Sequence, residues 1–206
     1  MIETLLIAFA RLCCGMLVSY ENDDFQHSSV VYFANHTSHI DLLAILSVFP
    51  RRKRQQIRPV AALDYWCANP LRHYVACKVL HAILLDRQHA MKTRVSFKEM
   101  INSLESGKSL LIFPEGSRNN ENEPSAFKGG IFHLATLRPE TEFIPVALSG
   151  FYHTLPKGEF LPAPNVGAIR FGTALRIKEG EDRGKFLARC RQALIDNQIT
   201  HQNRTS

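Results

Sequence analysis

The stretch Val30-Val31-Tyr32-Phe33-Ala34-Asn35-His36-Thr37-Ser38-His39-Ile40-Asp41-Leu42-Leu43-Ala44-Ile45-Leu46 decides how the chain is read. Its first five residues are an unbroken apolar run, the pattern of a strand buried on both faces. Leu42 to Leu46 read as the start of a helix. Between them Ser38 and Asp41 stand three apart, the spacing of a capping box, so Ser38 is expected as the N-cap. His36 then lies in the loop ahead of the helix and Asp41 in its first turn, with an Asp41–imidazole hydrogen bond within reach. Such a carboxylate fixes one tautomer and leaves the other ring nitrogen able to accept a proton. Ser-x-x-Asp also caps many helices that carry no chemistry, so function has to be read from what converges on this loop.

Working outward, strands alternate with helices. Pro59 to Leu63, Ile83 to Leu85, Ser109 to Phe113, Glu142 to Leu148 and Gly167 to Phe171 read as strands. Residues 64–79 read as one or two short helices. Residues 88–106 read as a polar helix whose inward set is Val95, Met100 and Leu104, closed by Gly107 as C-cap. Phe127 to Gly130 lead into a helix that runs to about Leu137, Pro156 to Pro164 form a loop, and residues 181–198 a basic terminal helix. This order predicts an α/β fold: one domain, a mixed but mostly parallel sheet flanked by helices. In such sheets ligands gather outside the carboxyl ends of the strands. Three of the expected strands end in polar clusters there: His36 with Asp41, Asp86 with Arg87, and Glu115-Gly116-Ser117-Arg118.

Before the first strand, residues 4–18 are apolar with Arg11 in their middle. Fifteen residues fall short of the roughly 20 that span a bilayer, and Glu3 and Tyr20 do not fit a cleaved signal. A single helix within residues 1–20, lying in the membrane interface or packed on the domain, is expected. The chain has 206 residues, 45% of them hydrophobic, with a formal net charge of +6. That surplus suggests an anionic partner; the absence of nucleic-acid motifs turns attention from nucleic acid to lipid or a phosphorylated substrate. Arg51-Arg52-Lys53-Arg54-Gln55-Gln56-Ile57-Arg58 reads as a solvated charged face that attracts anionic lipid loosely. Cys13, Cys14, Cys67, Cys77 and Cys190 form no Cys-x-x-Cys pair and read as free thiols, ordinarily buried small hydrophobes.

Arg87, Arg118 and Lys128 can hold a phosphate, while Glu115-Gly116 on a tight turn can accept a substrate hydroxyl or bare backbone amides. A hydroxyl donor held by its phosphate, with His36 removing the proton, fits acyl transfer better than hydrolysis. No Gly-x-Ser-x-Gly elbow is present, so direct attack of the hydroxyl on a thioester is the simpler scheme. Amides near the helix start are expected to stabilise the oxyanion. Reading His36-x-x-His39-x-Asp41 as a metal cluster gives a hydrolase instead, although the remaining histidines are scattered. A basic, membrane-adsorbed module without catalysis is the third reading.

Asn35 to Asp41, Leu84-Leu85-Asp86-Arg87, Phe113-Pro114-Glu115-Gly116-Ser117-Arg118 and Ile144-Pro145-Val146-Ala147-Leu148 resemble, in order, the four blocks of the glycerolipid acyltransferases related to bacterial 1-acyl-glycerol-3-phosphate acyltransferase. Phe127 to Gly130 resemble that family's stretch between its third and fourth blocks. The resemblance covers about residues 30–150. It implies His36 as base, Asp41 as its orienting partner, and Arg87 with the Glu115–Arg118 turn holding the glycerol-phosphate end of the acceptor. The fourth block would border the acyl channel. It further implies an acyl-coenzyme A or acyl-carrier-protein thioester as co-substrate, no resident cofactor, a lysophospholipid acceptor, and a peripheral or monotopic place on the cytoplasmic face of the inner membrane. Residues 21–199 would be the acyltransferase domain and 200–206 a flexible tail. One departure stands out: the second block usually opens with Gly two residues before its apolar core, where this chain has His81. Bulk there is expected to bear on which acceptor is taken.

Overall fold

The computed structural model describes residues 2–21, 29–38, 40–86, 90–119, 123–151 and 165–199. In chain order these form α1 (Ile2–Cys13), β1 (Cys14–Tyr20), β2 (Val31–Ala34), α2 (Asp41–Val48), α3 (Arg51–Arg54), β3 (Ile57–Ala62), α4 (Leu63–Cys67) and α5 (Pro70–Tyr74). A π-helical turn at Val75–Val79 leads to β4 (Ile83–Leu85), α6 (Ala90–Glu105), β5 (Ser109–Ile112), α7 (Gly130–Leu137), β6 (Phe143–Ser149), β7 (Asn165–Phe171) and α8 (Arg183–Ile199). Asn22 to Asp24, His39, Arg87, Pro156 to Pro164 and the tail after Ile199 lie outside the described residues.

The strands make one sheet in the order β1-β7-β6-β2-β5-β3-β4. β2 pairs in parallel with β5 and β6, β3 with β5 and β4, and β1 with β7; β6 and β7 are antiparallel. The expected mixed, mostly parallel sheet is therefore present. Every residue of β2 is buried, as a central parallel strand requires. Because side chains alternate, Tyr32 and Ala34 enter the core shared with α1 and α2, while Val31 and Phe33 enter the core against α6, α7 and α8. With β2, β3, β4 and β5 all parallel, their carboxyl ends share one edge.

Residues 4–18 are not one helix. α1 stops at Cys13, and Cys14–Tyr20 cross over to pair with β7, from Cys14↔Asn165 to Tyr20↔Phe171. Gly15 weakens a helix there, and an unpaired β7 edge supplies a partner that no local signal announces. α1 is held through its two charges. Glu3 meets the Arg54 guanidinium at 2.6 Å, and Arg11 donates to the Ser47 carbonyl through both Nε (3.2 Å) and Nη2 (2.5 Å). Arg54 is thus 9% exposed, and it also donates to the Phe49 carbonyl. The solvated face expected for residues 51–58 does not extend to it.

Three further expectations shift. α2 begins at Asp41, two residues later than a Ser38 cap implies, and Ser38 Oγ accepts weakly from Ile40 N–H at 3.4 Å. On α6, Val95 is exposed; the inward row beside Met100 and Leu104 is filled by Ser96, whose hydroxyl donates to Leu84 O at 2.8 Å. Among the cysteines, Cys190 is fully buried and burial pushes its thiol up to about 12, whereas Cys67 is exposed. Gly107 does close α6: at φ +79° its N–H reaches Leu104 O, and Lys108 N–H reaches Ser103 O, both at 3.0 Å. That is the double bond pattern of a left-handed helix cap.

His81 stands just before β4, at the amino-terminal edge of the sheet, with φ +51°. This is the end opposite His36, which follows β2. The described residues do not bring it to the loop that carries His36. A histidine tolerates left-handed backbone better than most residues, yet still at a cost of about 1 kcal/mol.

Candidate active site

Asn35, the first residue past β2, is buried and pairs with the backbone of Leu148 in β6. Its Nδ2 donates to Leu148 O at 3.0 Å, and its Oδ1 accepts Leu148 N–H at 2.8 Å. The side chain thereby extends the β2–β6 ladder after the backbone has left it, and fixes where His36 leaves the sheet.

His36 Nδ1 lies 2.9 Å from Asp41 Oδ2; Asp41 is fully buried and the His36 side chain is 23% exposed. A carboxylate only accepts, so the ring nitrogen facing it carries the hydrogen, and Nε2 presents a lone pair. The same Oδ2 also accepts Thr37 N–H at 2.6 Å and Ser38 N–H at 2.7 Å. Phe113, at the end of β5, stacks on the imidazole with ring centroids 4.3 Å apart and planes 26° apart. The ring of His36 is therefore held at one edge by a carboxylate and on one face by an aromatic.

Glu115 does not present its carboxylate to the crevice. It is 2% exposed; Oε1 accepts His36 N–H at 2.9 Å, and Oε2 accepts both Ser125 N–H and Ser125 Oγ–H at 2.8 Å. It ties the His36 loop to the segment that follows Pro124. The expected acceptance of a substrate hydroxyl by Glu115 is thus replaced by a positioning contact. The turn itself closes by Gly116 N–H to Phe113 O at 3.0 Å, and Gly116 sits at φ +74°, where a side chain would be strained. Asn119 N–H bonds His36 O, and Lys128 N–H bonds Pro114 O, each at 2.8 Å. Gly116, Ser117, Arg118 and Lys128 are so gathered beside His36. Ser117 and Lys128 are exposed and Arg118 half-buried, while Arg87 is outside the described residues.

Several of the amides expected to serve an oxyanion are already used within the protein. The N–H groups of His36, Thr37, Ser38, Ile40 and Asp41 each have an acceptor within the protein. Asn35, Phe113 and Ser125 are the contacts that sequence reasoning missed. A polar residue and an aromatic directly after two buried strands are the signals that mark the first two.

A family profile described as "Acyltransferase" matches residues 17–149, from within β1 to the end of β6. The chain belongs to the acyltransferase family. It is 24% identical over 175 residues to 1-acyl-sn-glycerol-3-phosphate acyltransferase of Cocos nucifera, covering 82% of this chain and 53% of that protein. It is 29% identical over 130 residues to the alpha form of the same enzyme from Mus musculus, covering 63% of this chain and 43% of that one. The chain spans about half the length of the curated relatives it matches. The crystal structure of the 1-acyl-sn-glycerophosphate (LPA) acyltransferase PlsC from Thermotoga maritima superposes with a TM-score of 0.77 at 19% identity, covering all of this chain and 81% of that one. That likeness establishes the acyltransferase fold for the whole chain. The matched segment holds both the His36–Asp41 loop and the Phe113–Arg118 turn.

Proposed function

We propose that this acyltransferase moves a fatty acyl group from a coenzyme A or acyl-carrier-protein thioester to the free hydroxyl of a lysophospholipid, with 1-acyl-sn-glycerol-3-phosphate as acceptor and phosphatidate as product. The observation that carries the reading is the His36–Asp41 pair, one ring nitrogen bonded to a fully buried carboxylate on an imidazole that is itself partly exposed. His36 Nε2 takes the hydroxyl proton as the oxygen attacks the thioester carbonyl. The tetrahedral adduct collapses, the C–S bond breaks, and the imidazolium returns the proton to the departing thiolate. Asp41 stabilises the imidazolium between those events. Arg118 and Lys128, with Arg87, meet the acceptor phosphate. Curated relatives with the same reaction in their names support the acceptor class.

The same reading sets the chain on a bilayer surface. Ile2, Leu5, Phe9 and Leu12 repeat at helical spacing along α1 and are all exposed, as are Leu17, Val18 and Tyr20 on the adjoining edge strand β1. Glu3 and Arg11 are both turned inward to partners, which supports this apolar stripe as the outward face. Among the described residues no helix is long and apolar enough to cross a membrane. The thioester donors are cytoplasmic metabolites, which favours the cytoplasmic leaflet.

The test is a radiolabelled acyl-thioester assay on folded protein in detergent. Lysophosphatidate, lysophosphatidylcholine and lyso-ornithine lipid are offered in turn. Transfer to lysophosphatidate that disappears in His36→Ala supports the reading; transfer only to another lysolipid moves the acceptor. No transfer to any of them, or full turnover by His36→Ala, overturns it. Loss of activity to a chelator with stoichiometric zinc would instead favour the metal-dependent hydrolase.

A further inference from the structure

At the edge of the sheet opposite His36 lies a cavity of about 150 Å³, whose walls include Glu3, Arg54, Gln55, Arg58 and His81. An engineered cavity of about that volume admits benzene, so a compact ligand fits. Two guanidinium groups line it. Arg54 spends Nε on Glu3 and Nη1 on the Phe49 carbonyl, and Arg58 reaches the Gln55 carbonyl at 3.3 Å. Burial pulls the Arg58 guanidinium below its ordinary value, with Glu99 opposing, and burial does the same to the neighbouring Lys53. His81 completes the wall in a left-handed conformation at φ +51°. Such a conformation in a side-chain-bearing residue points from structure toward use.

We propose that this cavity takes a phosphate-bearing anion, held by Arg54, Arg58 and His81, at a site separate from the acceptor crevice. Paired guanidinium donors suit phosphate oxygens, which accept two bonds at once. A lipid headgroup is the favoured source. Glu3 lines the cavity from the first turn of α1, where Ile2 and Leu5 are exposed, and the exposed Arg51 and Arg52 of α3 flank it. α1 then runs to the catalytic edge, where Cys14 enters the sheet opposite Asn165. One bilayer surface along α1 thereby reaches both ends of the sheet.

The experiment uses the full chain with Arg58→Gln, His81→Gly and, as a charge control outside the cavity, Arg52→Gln. Thermal melts with inorganic phosphate against chloride at equal ionic strength form one arm. Flotation with vesicles of phosphatidylcholine, with and without about one-fifth phosphatidylglycerol, forms the other. If inorganic phosphate raises the wild-type Tm but not that of Arg58→Gln, free phosphate suffices as ligand. If phosphate does nothing, but Arg58→Gln and His81→Gly bind the phosphatidylglycerol vesicles about fivefold less than Arg52→Gln does, the ligand is a lipid headgroup. His81→Gly should melt higher than wild type without phosphate, because its backbone is relieved. Either pattern supports the site. With no phosphate effect on Tm, either equal loss of vesicle binding in Arg58→Gln and Arg52→Gln or no loss in any variant overturns it.

Discussion

The buried carboxylate of Glu115 accepts the backbone N–H of His36 at 2.9 Å, so the glutamate of one strand end fixes the backbone of the histidine at another. Its second oxygen is taken by the amide and hydroxyl of Ser125. Three donors from two loops thus converge on one side chain that itself donates nothing. This arrangement has consequences that differ from those of a substrate ligand.

Glu115→Gln replaces one acceptor by an NH₂ group, which must face an N–H whichever way the amide turns. At least one buried donor is left unpaired, at about 1–3 kcal/mol. Urea unfolding should register that loss. Turnover should fall with the displaced His36 loop while the KM for the lysolipid changes little. A raised acceptor KM with kcat intact would mean that Glu115 meets the substrate after all.

Asp41→Asn keeps an oxygen where Thr37 N–H, Ser38 N–H and the His36 ring point, so the loop should hold its shape. What it removes is the charge that stabilises the imidazolium. kcat should drop by roughly 10²–10⁴-fold with the melting temperature nearly unchanged. Arg118→Ala should instead raise the acceptor KM and spare most of kcat. Steady-state kinetics on both variants separates the roles; a reversed pattern would undo the assignment of base and phosphate ligand.

How much of this was legible depends on where each partner sits in the chain. β2 and β5 could be read because an unbroken apolar run needs burial on both faces, and the polar residues that follow it emerge at the carboxyl edge. The His36–Asp41 contact was legible because its partners are five residues apart. β1 was not, since Cys14 pairs with Asn165 and an apolar run beside a helix gives no sign of a strand edge so far away. Glu115 was misread for the same reason: its donors come from His36 and Ser125, and only the folded chain shows both oxygens occupied. Val95 and Ser96 show a smaller limit. Apolar spacing on α6 suggested the former, but a hydroxyl bonded to the Leu84 carbonyl can face inward as well as a methyl group does.

Leu5 and Leu12 project from α1 into solvent, so replacing both by Asp should leave the fold intact and remove the centre of the proposed membrane stripe. Each leucine buried in lipid contributes about 1.5–3 kcal/mol. Binding to zwitterionic vesicles should therefore weaken by well over tenfold. Unchanged flotation of a folded Leu5→Asp, Leu12→Asp double variant would remove α1 as the docking face.

Glu181 anchors α8 to the chain before it. Arg189 donates to it through Nε at 2.9 Å and Nη2 at 2.7 Å, and Lys178 N–H adds a bond at 3.0 Å. The Arg189 side-chain hydrogen bonds, opposed by burial, hold the Glu181 carboxyl below the usual carboxylate range. A carboxyl depressed in the folded state contributes stability that is present above its unfolded value. That contribution is lost as pH falls through the lower folded value. Arg189→Met should thus destabilise the protein at neutral pH, and the gap from wild type should narrow on acidification below the ordinary carboxylate value. Urea midpoints at neutral and acidic pH give the comparison. A gap that stays constant across that range would mean the Arg189 contribution comes from packing against Phe186, over whose ring its guanidinium lies at 5.6 Å, and not from charge.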